Sequence, residues 1–171
     1  MPQVEVKTFY LEMLARPQST VPQHNAGLVF LHAQRPMVSY YRFFYDAVGD
    51  PWHWITRKKM SDAEIAAILN DPKVEMHVMY CDGVPAGFAE LDRRQEGEIQ
   101  IVQFGLLPDF IGKGLGKFFL SWTLEKAWSY QPNRVWLHTC TLDHPAALPN
   151  YQKAGFQIYK EEITVREPAP A

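Results

Sequence analysis

Residues 106–117 have the sequence LLPDFIGKGLGK, and this glycine-rich segment is the most informative stretch of the chain. It follows an alternating apolar run and precedes residues with helical apolar spacing, so we expect a loop between a strand and a helix. Glycines at positions 112, 114 and 116 allow a close approach of the backbone to a ligand. Free amides at a helix start favour a phosphate group. The segment therefore predicts a pyrophosphate-binding loop, with added charge from Lys113 and Lys117.

Two common nucleotide-binding motifs do not fit this segment. A Walker-type loop aligned on Gly112 and Lys113 needs glycine at position 107 and Ser or Thr at 114, where the chain has Leu107 and Gly114. A dinucleotide fingerprint needs G-x-G-x-x-G after a strand that begins a βαβ unit. Here the spacing is G-x-G-x-G, and the preceding strand belongs to a predicted antiparallel meander.

The elements around the loop predict a mixed α/β fold with one sheet. Two N-terminal strands, over 4–14 and 28–31, are expected to form an antiparallel pair. A short helix over 39–48 precedes a second helix that begins with the capping box of Ser61 and Glu64. The remaining predicted elements are strands over 74–81, 84–91 and 98–107, a helix from 115 to about 130, a strand over 134–140, a helix over 145–153 and a strand over 156–165.

Composition limits the classes of function. The 171 residues suit one domain, and 47% are hydrophobic. A net charge of −2 predicts no general affinity for nucleic acid. Apolar runs are too short for a membrane span, and residues 1–5 do not look like a secretory signal, so we expect a cytoplasmic protein without a membrane partner. Two cysteines make no disulfide framework.

A second motif, DHPAALPNYQKAGF at residues 143–156, follows the glycine loop in the order typical of one family. Together the two motifs resemble the GNAT superfamily of N-acetyltransferases over residues 38–165. The family loop has the pattern Q/R-x-x-G-x-G/A, in which Gly114 and Gly116 match and Ile111 replaces Arg or Gln. In the second motif, four positions match the family and His144 stands where Asn is usual; the matching residues are Ala147, Tyr151, Gly155 and Phe156.

The resemblance implies one domain over 1–171, with a mostly antiparallel sheet, a splayed parallel strand pair and flanking helices. Its parts are a strand pair in 1–37, a GNAT-like core in 38–165 and a tail in 166–171. The resemblance also implies an acetyl-CoA site. Backbone groups of Phe104, Gly105 and Leu106 would meet the pantetheine arm, Gly105 would suit a bulge, and His144 would contact CoA. The pyrophosphate would be held at Gly112, Lys113, Gly114, Leu115, Gly116 and Lys117.

Catalysis needs a neutral amine, donors for the oxyanion and a proton for the leaving thiolate. By its match to the family motif, Tyr151 is the candidate general acid. Strand periodicity places Glu98, Gln100, Val102 and Phe104 on one face. Glu98 is therefore a candidate base, Gln100 a candidate water-holding group, and Glu90 on the neighbouring strand a second carboxylate.

The aromatic segment 40–54 is expected to line the acceptor side, where ring faces suit an apolar or cationic amine. The residues concerned are Tyr41, Tyr45, Trp52 and Trp54. The acceptor is expected to be a small-molecule or peptide amine. Core packing or a homodimer surface is the alternative role for these rings.

No metal is expected, since His138, Cys140, Asp143 and His144 match no zinc spacing. The alternative to an enzyme is a non-catalytic CoA or acyl-CoA sensor of the same fold, suggested by the departures at Ile111 and His144.

Overall fold

A computed structural model describes residues 3–18 and 27–166 of the chain. Its strands are β1 (Val4–Met13), β2 (Leu28–Ala33), β3 (Val74–Cys81), β4 (Val84–Asp92), β5 (Glu98–Leu106), β6 (Arg134–Cys140) and β7 (Gln157–Arg166). Its helices are α1 (Val38–Gly49), α2 (Asp62–Leu69), α3 (Leu115–Trp128) and α4 (Ala147–Lys153). None of the helices in these ranges is long and apolar enough to cross a membrane.

All seven strands form one sheet in the order β2-β3-β4-β5-β6-β1-β7. Every neighbouring pair is antiparallel except β5 and β6, which run parallel. The predicted meander of β3, β4 and β5 is confirmed, and its first turn has positive φ at Asp82 and Gly83, as a tight hairpin requires. The mixed α/β fold predicted from the order of elements is therefore confirmed.

The predicted pairing of the two N-terminal strands is wrong. β1 lies between β6 and β7, whereas β2 pairs with β3 at the opposite edge of the sheet. Alternation of apolar residues predicts that a segment is a strand, but it does not indicate which other strand it pairs with in the sheet. The intervening loop lies partly outside the described residues, as does the predicted tail beyond Arg166, the last residue of β7.

Two helical layers cover the sheet. On one face, α1 and α2 pack on β3 and β4 through Tyr41, Phe44, Ile65 and Phe88. On the other face, α3 packs on the sheet through Phe119, Leu120 and Leu124. Ser61 and Glu64 form the predicted capping box at the start of α2. Helix α4 begins at Ala147 rather than at the predicted residue 145, because Ala146 donates its amide to His144 Nδ1 in a preceding turn.

The parallel pair separates soon after it forms. β5 and β6 are paired from Glu98 and Arg134 to Gln100 and Trp136, and no further. Beyond that point β5 remains attached to β4, and β6 to β1. The second half of each strand therefore borders an opening in the sheet, as expected for a splayed parallel pair.

The irregularity in β5 lies at Val102 rather than at Gly105. Glu90 pairs with Gln103 and Leu91 with Ile101, which leaves Val102 as the extra residue of a bulge. Gly105 continues the regular pairing with Phe88, and glycine is needed there because a Cβ would lie 2.5 Å from Val48 Cγ1. The requirement at Gly105 is therefore close packing of α1 on the sheet.

Candidate active site

A large cavity occupies the opening between β5 and β6. Its volume is about 1190 Å³, and it extends from the glycine loop to the loop after α1. Most residues expected to bind CoA line it; these are Phe104, Gly105, Leu106, Gly112, Gly114, Leu115, Gly116, Lys117 and His144. Lys113 does not line the cavity, and its ammonium group lies 5.5 Å from the centre of the Phe110 ring.

The glycine loop turns in the left-handed region at two positions. Gly112 has φ of 80° and Gly114 has φ of 75°, and a Cβ added at either position would meet no atom within 4 Å. Glycine is therefore required for backbone conformation, and the space above the loop is open. Gly114 immediately precedes α3, where no side chain caps the helix and no acidic residue stands in the first turn. The free amides of that turn can thus donate hydrogen bonds to a bound anion.

Tyr151 projects from α4 to the wall of the cavity between the Phe104 and Phe156 rings. It is 9% exposed, and within the described residues its hydroxyl has no hydrogen-bond partner. Burial raises the pKa of the Tyr151 phenol, and the nearby Asp143 carboxylate raises it further. The hydroxyl therefore stays protonated at neutral pH, as a general acid must.

Asp143 connects the two sides of the cavity. Its Oδ2 accepts hydrogen bonds from Thr139 Oγ1 at 2.5 Å and from the Cys140 amide at 2.9 Å. Its Oδ1 accepts from the indole N–H of Trp54 at 3.3 Å. The neighbouring His144 ring lies 4.9 Å from the Trp52 ring. Trp52 and Trp54, which are predicted to line the acceptor side, therefore lie next to the loop that follows β6. The same loop contains His144, a predicted CoA contact.

Three of the four predicted acceptor aromatics line the cavity: Tyr45, Trp52 and Trp54. Tyr41 does not. It lies on the buried face of α1, where its hydroxyl donates to Glu90 Oε2 at 2.5 Å. Its position therefore suits the core-packing alternative that the sequence left open.

Glu90, a predicted base, does not line the cavity either. It is 1% exposed, and its Oε1 accepts from Arg57 Nη2 at 2.7 Å. Arg57 itself reaches the cavity wall, and its backbone amide donates to the Tyr45 hydroxyl at 3.2 Å. Glu90 therefore positions Arg57, a residue that sequence reasoning missed because a lone arginine in a loop carries no motif.

Glu98 and Gln100 lie at the paired end of β5, away from the opening. They border a separate small cavity, and Glu98 Oε2 accepts from Arg134 at 3.2 Å. The bulge at Val102 explains the difference, because it breaks the period-two face assumed for these residues and Phe104. The structure thus brings neither Glu98 nor Gln100 to Tyr151.

His138 on β6 is a second cavity residue that the sequence did not assign to catalysis. It lies opposite Tyr10 of β1, with the ring centres 5.5 Å apart. Although His138 is exposed to solvent, desolvation by the surrounding cavity wall lowers the pKa of its imidazole against the opposing effect of Asp143, so the neutral form predominates at pH 7. Burial raises the pKa of the adjacent Cys140 thiol, which makes this cysteine a poor nucleophile.

Residues 37–156 match the model of the acetyltransferase (GNAT) family. The chain therefore belongs to this family of acyltransferases. Uncharacterized N-acetyltransferases of Mycobacterium tuberculosis (strain H37Rv) and Mycobacterium bovis are 29% identical to it over 99 residues, 58% of this chain. The match covers 63% of each relative, so the chain spans less than two thirds of those proteins.

Solved structures of the family share the fold. A GCN5-related N-acetyltransferase from Sphaerobacter thermophilus superposes with a TM-score of 0.68 at 15% identity, over 95% of this chain and 51% of that one. An aminoglycoside acetyltransferase from an uncultured soil metagenomic sample, in complex with sisomicin, has a TM-score of 0.60 at 10% identity, over 75% and 87% of the two chains. These likenesses support the architecture alone.

Proposed function

We propose that this protein transfers the acetyl group of acetyl-CoA directly to a primary amine, with Tyr151 as the general acid. The observation that carries the proposal is the cavity between β5 and β6, which joins the uncapped glycine loop to the buried Tyr151 hydroxyl. Family membership supports acyl transfer in general. The cosubstrate, the acceptor and the role of Tyr151 belong to the proposal.

The glycine loop fits a pyrophosphate-bearing cosubstrate. The space above Gly112 and Gly114 is open, the start of α3 has no side-chain cap, and Lys117 lines the same cavity. Bound acetyl-CoA would supply an acetyl group activated as a thioester. Because Ile111 provides no donor, the backbone amides and Lys117 would carry the phosphate contacts.

Tyr151 would donate its hydroxyl proton to the thiolate of CoA as that thiolate leaves. The phenol is a weak acid there, but a desolvated thiolate is also a stronger base than in water. For removal of the amine's proton, His138 is better placed than the predicted carboxylates, since it lines the cavity and is neutral at pH 7. The raised pKa of Cys140 favours direct transfer over a covalent cysteine intermediate.

The acceptor is proposed to be a small-molecule or peptide amine that enters beside Trp52 and Trp54. Arg57 and Asp143 place opposite charges on this part of the wall. A homodimer and a cytoplasmic location stay predictions from the sequence.

The test combines binding and turnover. We expect acetyl-CoA and CoA to bind in calorimetry where NAD and ATP do not, and a panel of amines to show thiol release. Tyr151→Phe should lower kcat about 100-fold, the scale of general acid catalysis, while acetyl-CoA affinity stays within about twofold. The control is Tyr159→Phe, which alters a tyrosine outside the cavity wall.

Equal kcat for Tyr151→Phe and the wild type would contradict the acid role. Clear CoA binding without turnover of any amine would favour the sensor instead.

A further inference from the structure

Three side chains with metal-binding groups meet on the face of the sheet that α3 covers. They are His32, Glu75 and His77, and one nitrogen or oxygen atom from each lies within 4.8 Å of the other two. The strand register explains the cluster. His32 of β2 lies directly opposite His77 of β3, and Glu75 precedes His77 by two residues and so shares its face. None of the three lines the cavity between β5 and β6.

His77 is a buried imidazole with incomplete hydrogen bonding. It is 1% exposed, and its Nε2 lies 3.0 Å from Glu75 Oε1. Its Nδ1 is buried and has no partner among the described residues. Because Nδ1 has no partner within the described part of the chain, it can carry the ring proton when Nε2 binds an ion beside Glu75.

Glu75 is held in one orientation by three neighbouring side chains, those of His77, Tyr130 and Arg93. Arg93 Nε holds Oε2 at 2.5 Å, and Tyr130 donates to Oε1 at 2.9 Å. Arg93 thus holds Oε2, and Oε1 faces His77. Carboxylates that bind metals are commonly oriented by such hydrogen bonds from neighbouring side chains.

His32 supplies the accessible side of the cluster. Its ring centre lies 4.7 Å from that of His77, and the residue is exposed on the edge strand β2. An ion can therefore reach the buried pair from solvent past this ring.

We propose that His32, His77 and Glu75 bind one divalent transition-metal ion of the zinc class. The ligands are one imidazole nitrogen from each histidine and Oε1 of Glu75, with the fourth position open to solvent. Two ligands of a tetrahedral zinc ion lie about 3.4 Å apart, close to the 3.0 Å that separates His77 Nε2 from Glu75 Oε1. Two imidazoles and one carboxylate are a ligand set that zinc prefers.

Two positive side chains near the cluster limit the expected affinity for zinc. Arg93 is paired with Glu75, and Lys126 lies 4.9 Å from the centre of the Tyr130 ring. Both act on His32 and weaken the attraction for a dication. We therefore expect micromolar rather than tighter affinity. The bound ion would join the edge strand β2 to β3, next to Trp122 of α3, whose ring centre lies 5.1 Å from that of His77.

The experiment uses the full chain without an affinity tag and zinc chloride as the probe. We expect calorimetry to show one ion per chain and the melting temperature to rise with zinc concentration. His32→Ala should weaken zinc binding at least tenfold, because it removes an exposed ligand without opening the core. Leu31→Ala is the matched control, since it alters the neighbouring exposed residue of β2 and keeps all three ligands.

Cobalt(II) absorption and histidine NMR give independent readouts. Tetrahedral cobalt spectra, together with shifts of the His32 and His77 ring signals on zinc addition, would support the site. The proposal is overturned if the wild type shows no saturable zinc binding. It is also overturned if His32→Ala binds zinc as tightly as Leu31→Ala, because the ion would then be held elsewhere.

Discussion

Glu90 is a buried carboxylate whose contacts are structural. Its oxygens are taken by Tyr41 and Arg57, and the guanidinium that it neutralises lies on the cavity wall. Glu90→Gln should lower the free energy of unfolding by about 3 kcal/mol, because it leaves a largely buried cation without its counter-charge. Urea unfolding measures this change. In Glu98→Gln, which breaks a more exposed pair with Arg134, the loss should stay below about 1 kcal/mol.

Activity separates this structural role from the base role that the sequence suggested for Glu90. With kcat corrected for the folded fraction, Glu90→Gln should retain the wild-type pH profile of kcat. A lost ionisation in that profile, together with unchanged stability, would reinstate Glu90 as a base.

His138 provides a prediction that needs no substrate. Desolvation at the cavity wall lowers its pKa from the usual 6.5, and Asp143 opposes the shift. A titration of the imidazole ring protons by NMR should therefore give a midpoint below 6.5. Asp143→Asn should move the midpoint still lower, since it removes a charge that favours the imidazolium. A midpoint that rises in this variant would show that Asp143 does not act on His138 through its charge.

Individual site residues differ in how far the sequence could identify them. The place of Tyr151 on the cavity wall could be predicted because a family motif contains it. The glycine loop could be predicted because its glycines allow a close approach of the backbone to a ligand, and the structure adds that Gly112 and Gly114 have positive φ. Arg57 and His138 belong to no motif. They reach the cavity only through tertiary contacts, which residue spacing does not encode.

Among the elements, β5 shows the limit of pattern reasoning. Strict alternation assigns Gln100 and Phe104 to the same face, but the bulge at Val102 reverses the faces between them. One additional residue in a strand leaves the hydrophobic pattern almost unchanged. The boundaries of β5 could thus be predicted, whereas the direction of its side chains at the cavity could not.

The start of helix α2, in contrast to the side-chain directions of β5, can be predicted from two residues. The Ser61 hydroxyl accepts from the Glu64 amide at 3.2 Å, and the Glu64 carboxylate accepts from the Ser61 amide at 2.7 Å. Ser61→Ala should lower the free energy of unfolding by about 1 kcal/mol in urea titrations. Ser39→Ala, at the start of α1 where no side chain caps the helix, should change it by less than about 0.5 kcal/mol. Equal effects of the two variants would argue against the capping box.

At the scale of the whole molecule, the order of elements predicted the sheet and its helical layers but not the full strand order. Local pairs such as β3 and β4 are joined by a turn, so their partnership follows from the sequence. β1 and β6 are separated by more than a hundred residues, and their pairing results from closure of the whole sheet. Placement of β1 on the far side of β6 also completes the sheet beside the cavity.

The Glu75 cluster connects global stability to pH. The pKa of Glu75 is about 2 in the folded protein and 4.5 in an ordinary environment. Its contribution to stability is therefore complete above about pH 4.5 and is lost as the pH falls through 2. At about 1.4 kcal/mol per pKa unit, it amounts to about 3 kcal/mol. Urea unfolding between pH 7 and 3, with a chelator present, should show a loss of stability that Glu75→Gln largely removes.

A graded variant distinguishes this effect from general acid unfolding. Tyr130→Phe removes one of the hydrogen bonds that lower the Glu75 pKa, so the folded pKa should rise and the pH dependence should become intermediate. If instead Tyr130→Phe and Glu75→Gln both keep the wild-type slope, other carboxylates control acid stability.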